Sequence, residues 1–201
     1  MAIMQKVTGI VAVLLVFALL LAFGCAGAPI KEGVTANGHP YRGSATPKVV
    51  IYEYSDFECP FCSKALPAID EVMRAYPNEV QLQFRHFPLV NIHPRSMPSA
   101  LAGVCAEKQG KFWQMHDLMF ANQEKLEDAD LNAYAKEAGL DMQVFAQCLS
   151  SQEPADWVNA DIAAGAALGI QGTPSFAVGR SVVAGTPKLK QVVDAELAKV
   201  R

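Results

Sequence analysis

The sequence predicts an α/β fold in which a helical block interrupts a strand-rich frame, and three observations carry that prediction. Val49 to Tyr54 is an apolar run of strand length. Val80 to Phe87 alternates Val80, Leu82 and Phe84 against Gln81, Gln83 and Arg85, the pattern of a strand with one apolar face. Ser175 to Val178 and Ser181 to Ala184 flank Gly179-Arg180 as the arms of a hairpin. Helical spacing dominates between the second strand and this hairpin.

Taken in order, Met1 to Lys6 is a short basic start and Val7 to Phe23 is nearly unbroken apolar sequence, matching the first two regions of a secretory signal. Three readings of how this leader ends stay open. Ala22-Phe23-Gly24-Cys25 resembles a bacterial lipobox, with Cys25 as the lipidated residue, although Leu is usual where Ala22 stands and a smaller residue where Phe23 stands. Cleavage after Ala28 would put Pro29 just past the cut, a poor site. An uncleaved anchor is the rival, because Val7 to Ala28 approaches the roughly 20 apolar residues of a membrane span. Residues 1–24 are thus a signal peptide or anchor. Residues 25–45 read as a flexible tether, since Pro29 to Pro47 is rich in Gly, Thr, Asn and Pro and lacks apolar periodicity.

Residues 46–201 form the domain. With 51% hydrophobic and 18% charged residues, the 201-residue chain suits one core of ordinary size plus a leader. Losing Lys6 with the leader takes the net charge from −3 to −4, and no basic patch invites nucleic acid. After the first strand, Cys62 to Tyr76 carries Ala65, Leu66, Ile69, Val72 and Met73 at helical spacing. Arg95 to Lys108, Phe112 to Asn122, Asp130 to Ala138 and Gln143 to Ser150 are helix-like and punctuated by Pro94, Gly110, Glu127-Asp128 and Gly139, giving a helical insert over about 90–153. Asp156 to Leu168 is an Ala-rich helix stopped by Gly169, and a last helix runs from Lys188 to about Lys199.

Cys59-Pro60-Phe61-Cys62 sits between the first strand and its helix. Cys59 falls at the helix N-cap, with Pro60 at the first helical position, where a fixed φ and a missing N–H do no harm. Free N–H groups of Phe61 and Cys62, with the positive end of the helix dipole, favour a thiolate on Cys59. Cys59 is the candidate nucleophile and Cys62, one turn deeper, the resolving thiol. A zinc site would need further ligands, and neither a second CxxC nor an HxxxH pair exists among His39, His86, His93 and His116. A purely structural bridge closing so short a loop would gain little chain entropy. Of the other cysteines, Cys105 and Cys148 lie in helical segments, either bridged or as two separate buried thiols, and Cys25 is left over. Glu53 interrupts an otherwise apolar strand; it is either a buried carboxylate with a use or a Glu on a solvated strand edge.

The stretch Tyr54-Ser55-Asp56-Phe57-Glu58-Cys59-Pro60-Phe61-Cys62, with Gln109-Gly110-Lys111-Phe112-Trp113 and Gly169-Ile170-Gln171-Gly172-Thr173-Pro174-Ser175-Phe176, resembles the DsbA-like family of exported thiol-disulfide oxidoreductases, over about Thr46 to the C-terminus. The resemblance implies a thioredoxin-like sheet flanked by helices with an inserted α-helical domain. It implies redox chemistry carried by the Cys59/Cys62 disulfide with no cofactor or metal. Thr173-Pro174 matches the loop in which a cis proline lies against the CxxC and the preceding backbone pairs with substrate. Glu53 matches an acidic residue beneath the site that looks like a proton relay for Cys62. Cys105 and Cys148 fall where some members carry a pair, which favours the bridge, whereas Phe112 and Trp113 read as core of the insert.

Implied partners are thiol-bearing or unfolded secreted proteins and a membrane redox partner, with a location on the outer face of a membrane, held there by lipid or anchor. Stabilising the Cys59 thiolate stabilises the reduced form and makes an oxidant. Asp56 and Glu58 should raise the Cys59 pKa, and Phe61 replaces the His of the strongest oxidants, so an intermediate potential is expected. An oxidase is the leading reading. Reductase and isomerase are the alternatives, though isomerases of this fold usually add a dimerisation domain for which Pro29 to Pro47 is too short. A non-enzymatic peptide-binding lipoprotein is disfavoured by the intact cysteine pair.

Overall fold

In the computed structural model, residues 29–200 are described; the leader and Cys25 lie outside the described residues. Six strands, β1 (Glu32–Val34), β2 (Pro40–Gly43), β3 (Val49–Ser55), β4 (Val80–His86), β5 (Ser175–Val178) and β6 (Ser181–Ala184), make one sheet in the order β1-β2-β4-β3-β5-β6. The helices among the described residues are α1 (Pro60–Ala75), α2 (Ser96–Glu107), α3 (Phe112–Ala121), α4 (Asp128–Glu137), α5 (Met142–Leu149), α6 (Glu153–Ala167) and α7 (Leu189–Lys199). β3 and β4 run parallel from Val49↔Val80 to Ser55↔His86, joined by the α1 crossover, and β5 pairs antiparallel with the other edge of β3. β3 is therefore central. That excludes a solvated edge for Glu53.

The expected tether is corrected by the sheet itself. Within 29–47, β1 pairs with β2, and β2 pairs with β4 through Tyr41↔Gln83, Arg42↔Leu82 and Gly43↔Gln81. Strands of three and four residues are held by backbone hydrogen bonds and leave almost no side-chain period to read. Arg42 then ties the added strands to the insert. Its guanidinium reaches Glu32 at 3.0 Å and Asp117 at 2.8 Å, and lies 4.2 Å over the Trp113 ring.

One face of the sheet carries the main core, where Cys62, Ala65, Ile69, Val72 and Met73 of α1 pack with Ile51, Leu82 and Phe84, and α7 adds Leu189, Val193 and Leu197. Phe112, Met115 and Met119 of α3 join the same core, and Phe57 stacks on Phe84 with centroids 5.3 Å apart. Phe112 and Trp113 are buried, as a core role requires.

The other face is closed by α6. There Gln81 and Gln83 are buried, and Arg85 partly so, in a chain running from Arg85 to the Gln83 carbonyl, from Gln83 to the Gln81 carbonyl, and from Gln81 to the Ser44 backbone. The polar half of this strand therefore satisfies itself instead of facing water. Asp161 of α6 completes the seam by accepting from the His86 backbone N–H at 3.0 Å. Gly165 permits the close approach, because a Cβ there would come within 2.8 Å of the Phe87 ring.

Helix ends differ from expectation by up to three residues. α4 begins at Asp128, where the Asp130 carboxylate accepts from the Glu127 N–H, and α6 begins at Glu153 with Pro154 in its first turn. The α6 stop at Gly169 stands, with φ 77°. Cys105 of α2 and Cys148 of α5 are bridged, with a sequence separation of 43. In the chain-entropy account such a loop is worth roughly 2–4 kcal/mol. Cys105→Ala/Cys148→Ala should lose about that much in urea unfolding, with a larger m-value as the denatured chain expands; an unchanged unfolding free energy would show that the bridge adds nothing.

Candidate active site

The backbone places Cys59 before its chemistry is considered. Cys59 is extended at φ −74° and ψ 119° and caps α1, Pro60 opens the helix, and the Cys59 N–H donates to the Asp56 carbonyl at 3.1 Å. Gln123, beyond α3, donates through Nε2 to the carbonyls of Phe57 (2.7 Å) and Cys59 (2.9 Å), clamping the turn from the insert side.

Both thiols are free and buried, with Cys59 2% and Cys62 0% exposed. The Cys59 Sγ lies 3.4 Å from the Thr173 carbonyl oxygen, and the Thr173–Pro174 peptide is cis. Cys59, Cys62, Thr173 and Pro174 thus converge, while Glu53 lies beneath α1 on the sheet face of Ile51 and Ser55. The Cys105–Cys148 bridge belongs to the insert. Among the described residues no group of three or more His, Cys, Asp or Glu is arranged to hold a metal ion.

The two sulfurs are pushed apart electrostatically. The Cys59 thiol is lowered to about 5, first because the Cys62 thiol donates to its sulfur; burial opposes, and the Thr173 side chain and the N–H groups of Cys62 and Phe61 assist. Burial drives Cys62 far upward, and the hydrogen bond to Cys59 adds to it. One sulfur is held as thiolate and its neighbour as thiol.

The carboxylates of Asp56 and Glu58, expected from the sequence beside Cys59, both hold the 87–95 loop. Asp56 accepts from the N–H groups of Glu58 and Leu89, each at 2.9 Å, and sits 2.7 Å from His93 Nδ1. Glu58 accepts from the Arg95 N–H at 2.6 Å. The loop so held carries exposed Val90 and Ile92, and Phe61 is itself 66% exposed.

Glu53 is 1% exposed, and neither carboxylate oxygen has a hydrogen-bond partner. Burial raises it to about 7, while the Ser55 hydroxyl and Arg42 pull it part of the way back. Ser55, whose buried hydroxyl has no hydrogen-bond partner either, also favours the ionised form of Cys62 and so lies near both groups. Sequence reasoning missed Ser55, Gln123, His93 and the anchoring role of Asp56. Only Asp56, a carboxylate three residues before the cysteine, left any trace; Gln123 acts across 64 positions.

The thioredoxin family model matches residues 35–195. Over 137 residues the chain is 39% identical to a Na(+)/H(+) antiporter, NhaA 3 of Salinispora tropica, covering 68% of this chain and 21% of that protein. The chain spans about a fifth of the length of the curated relatives it matches. Among solved structures it is similar to a thioredoxin-like oxidoreductase from Silicibacter pomeroyi DSS-3 (TM-score 0.73, 28% identity, 82% of this chain and 94% of that one). It shares its fold with BdbD from Bacillus subtilis (0.68, 22%, 84% and 98%) and with a periplasmic thioredoxin-like protein from Salmonella enterica serovar Typhimurium (0.67, 20%, 80% and 91%). The resemblance and the fold class read from the sequence are borne out.

Because Glu53 is raised above its unfolded value, it favours the folded state at low pH and loses that contribution as pH rises through about 7. Glu53→Gln should therefore gain up to about 3 kcal/mol in urea unfolding at pH 8 and nothing at pH 4. It should also abolish the inflection near pH 7 in Cys62 reactivity. An unchanged profile would remove Glu53 from the chemistry.

Proposed function

The chain belongs to the thioredoxin family, and on that premise we propose that it is an exported thiol–disulfide oxidoreductase working as an oxidase of secreted proteins. The observation that carries this reading is the opposite displacement of the two thiols. In the oxidised enzyme a client thiolate attacks the Cys59 sulfur. The Cys59–Cys62 bond breaks, and Cys62 departs with the electron pair and takes up a proton. A second client thiolate then attacks the client sulfur of the mixed disulfide, forming the client's disulfide and releasing Cys59 as a thiolate. Two electrons pass from client to enzyme.

A thiol lowered well below neutral pH stabilises the reduced enzyme relative to an ordinary thiol, by roughly 30 mV for each pKa unit below ambient pH. That favours giving a disulfide away. Clients would meet a groove of about 470 Å³ between Phe61, the 169–174 loop and the β5–β6 hairpin, rimmed by apolar side chains. An exposed apolar surface suits chains that have not yet folded.

Export is supported by the signal-like leader and by the periplasmic protein among the structural neighbours. We place the domain on the outer face of a membrane, attached through a lipid on Cys25 or an uncleaved leader. A membrane redox partner would withdraw the two electrons, and no cofactor beyond the Cys59/Cys62 disulfide is required.

Cys62→Ala should accumulate mixed disulfides with exported proteins, and the wild type should oxidise a reduced, unfolded substrate stoichiometrically. Rescue of a scrambled substrate without net oxidation would make it an isomerase. No trapped client at all would leave a peptide-binding module.

A further inference from the structure

We propose that His116 is the outer station of the proton route serving Glu53, with Asp117 orienting it at the surface; this rests on the oxidase reading and deepens it. A cavity of about 410 Å³ lies between α1 and α3, and Glu53, Leu66, Trp113, His116, Asp117 and Arg42 are among its lining residues. It sits on the helical-insert side of α1, apart from the groove at Phe61 and Pro174.

Two buried polar groups border this cavity with nothing to pair with. One is the Glu53 carboxyl; the other is His116 Nε2, on a side chain 1% exposed. The opposite ring nitrogen, Nδ1, is 2.7 Å from Asp117 Oδ1. Burial would raise Asp117, but His116 and Arg42 hold it down to about 2, so it is a carboxylate. A carboxylate facing Nδ1 requires the proton there and leaves Nε2 as a bare acceptor. Across the same cavity, Glu53 in its acid form is a donor. An acceptor and a donor buried without partners are each costly, and a cavity of this volume, bordered by both groups, has room for water that links them.

The chemistry needs such a link. When Cys62 leaves as a thiolate, the Glu53 proton passes to it, with Ser55 lying near both groups, and Glu53 becomes a carboxylate that must be reprotonated. It has no surface of its own. A proton from solvent enters the cavity at its Asp117 rim, where that side chain is 57% exposed, is taken from the cavity at His116 Nε2, and is passed from the same nitrogen to Glu53. During reoxidation the same proton runs outward as Cys62 becomes the attacking thiolate.

The groups facing His116 set how long it can hold that charge. Asp117 on its own helix and Asp70 of α1 favour the imidazolium; Arg42 of β2 opposes it, and His86 of β4 lies close enough to repel. Glu53 of β3 borders the same cavity. The remaining neighbours are the rings of Phe57, Phe84, Phe112, Trp113 and Phe120. Burial is the largest influence and lowers its pKa, so His116 rests neutral and is charged only in transit.

The test follows the full chain by quenched-flow mass spectrometry with oxidised glutathione, timing mixed-disulfide formation at Cys59 separately from its resolution by Cys62. His116→Ala should slow resolution about tenfold or more relative to formation and displace its pH profile, with added imidazole restoring most of the rate. Asp117→Asn, at a half-exposed position, should slow resolution several-fold if loss of packing makes His116→Ala unusable. Resolution with a wild-type pH profile in either folded variant overturns the proposal. So does a slowed, folded His116→Ala that imidazole does not rescue, which would leave His116 a packing residue. Failure of the wild type to form any mixed disulfide would instead sink the oxidoreductase reading itself.

Discussion

The hydrogen bond from the Cys62 thiol to the Cys59 sulfur, made at the N-terminus of α1, is the interaction on which the rest of this molecule depends. It is asymmetric by construction. The capping residue sits where helix N–H groups have no partner of their own, and the residue one turn inside is fully buried. The same bond that lowers one thiol raises the other, so the pair divides into a leaving group and a proton-demanding resolver. Burial alone would raise both.

The architecture makes that division usable from three directions. From the hairpin side, the 169–174 loop brings cis Pro174 and Thr173 up to the sulfur, and the Thr173 side chain favours its ionised form. From the insert, Gln123 holds the carbonyls of the active-site turn. From below, the central position of β3 buries Glu53 beneath α1, where a carboxyl near neutrality can exchange protons with a group that cannot reach water. Each contact would be unremarkable alone. Placed around a helix N-terminus, they give Cys59, Cys62 and Glu53 three different environments.

Much of this was legible in the sequence where a local rule governs. The hairpin at Gly179-Arg180, the cap at Cys59 with Pro60 behind it, and the Gly169 stop follow from turn and capping chemistry and stand where expected. Rules based on side-chain period failed where backbone pairing decides, so β1 and β2 read as a tether. Remote partners left no sign in the sequence: Asp56 and Glu58 lie within three residues of Cys59, and the N–H groups of Leu89 and Arg95 engage them. The cavity under α1 and the chain through His116 and Asp117 join β2, β3, α1 and α3, and no window of sequence contains them. Cys25 and the leader fall outside the described residues.

The most direct measurement is the pH dependence of Cys59 alkylation by iodoacetamide in the reduced protein, compared with the Cys62→Ala variant. A midpoint near 5 in the wild type, moving upward when the Cys62 thiol is removed, is the result this account requires. A wild-type midpoint near 8.5, the value of an unperturbed thiol, would contradict it.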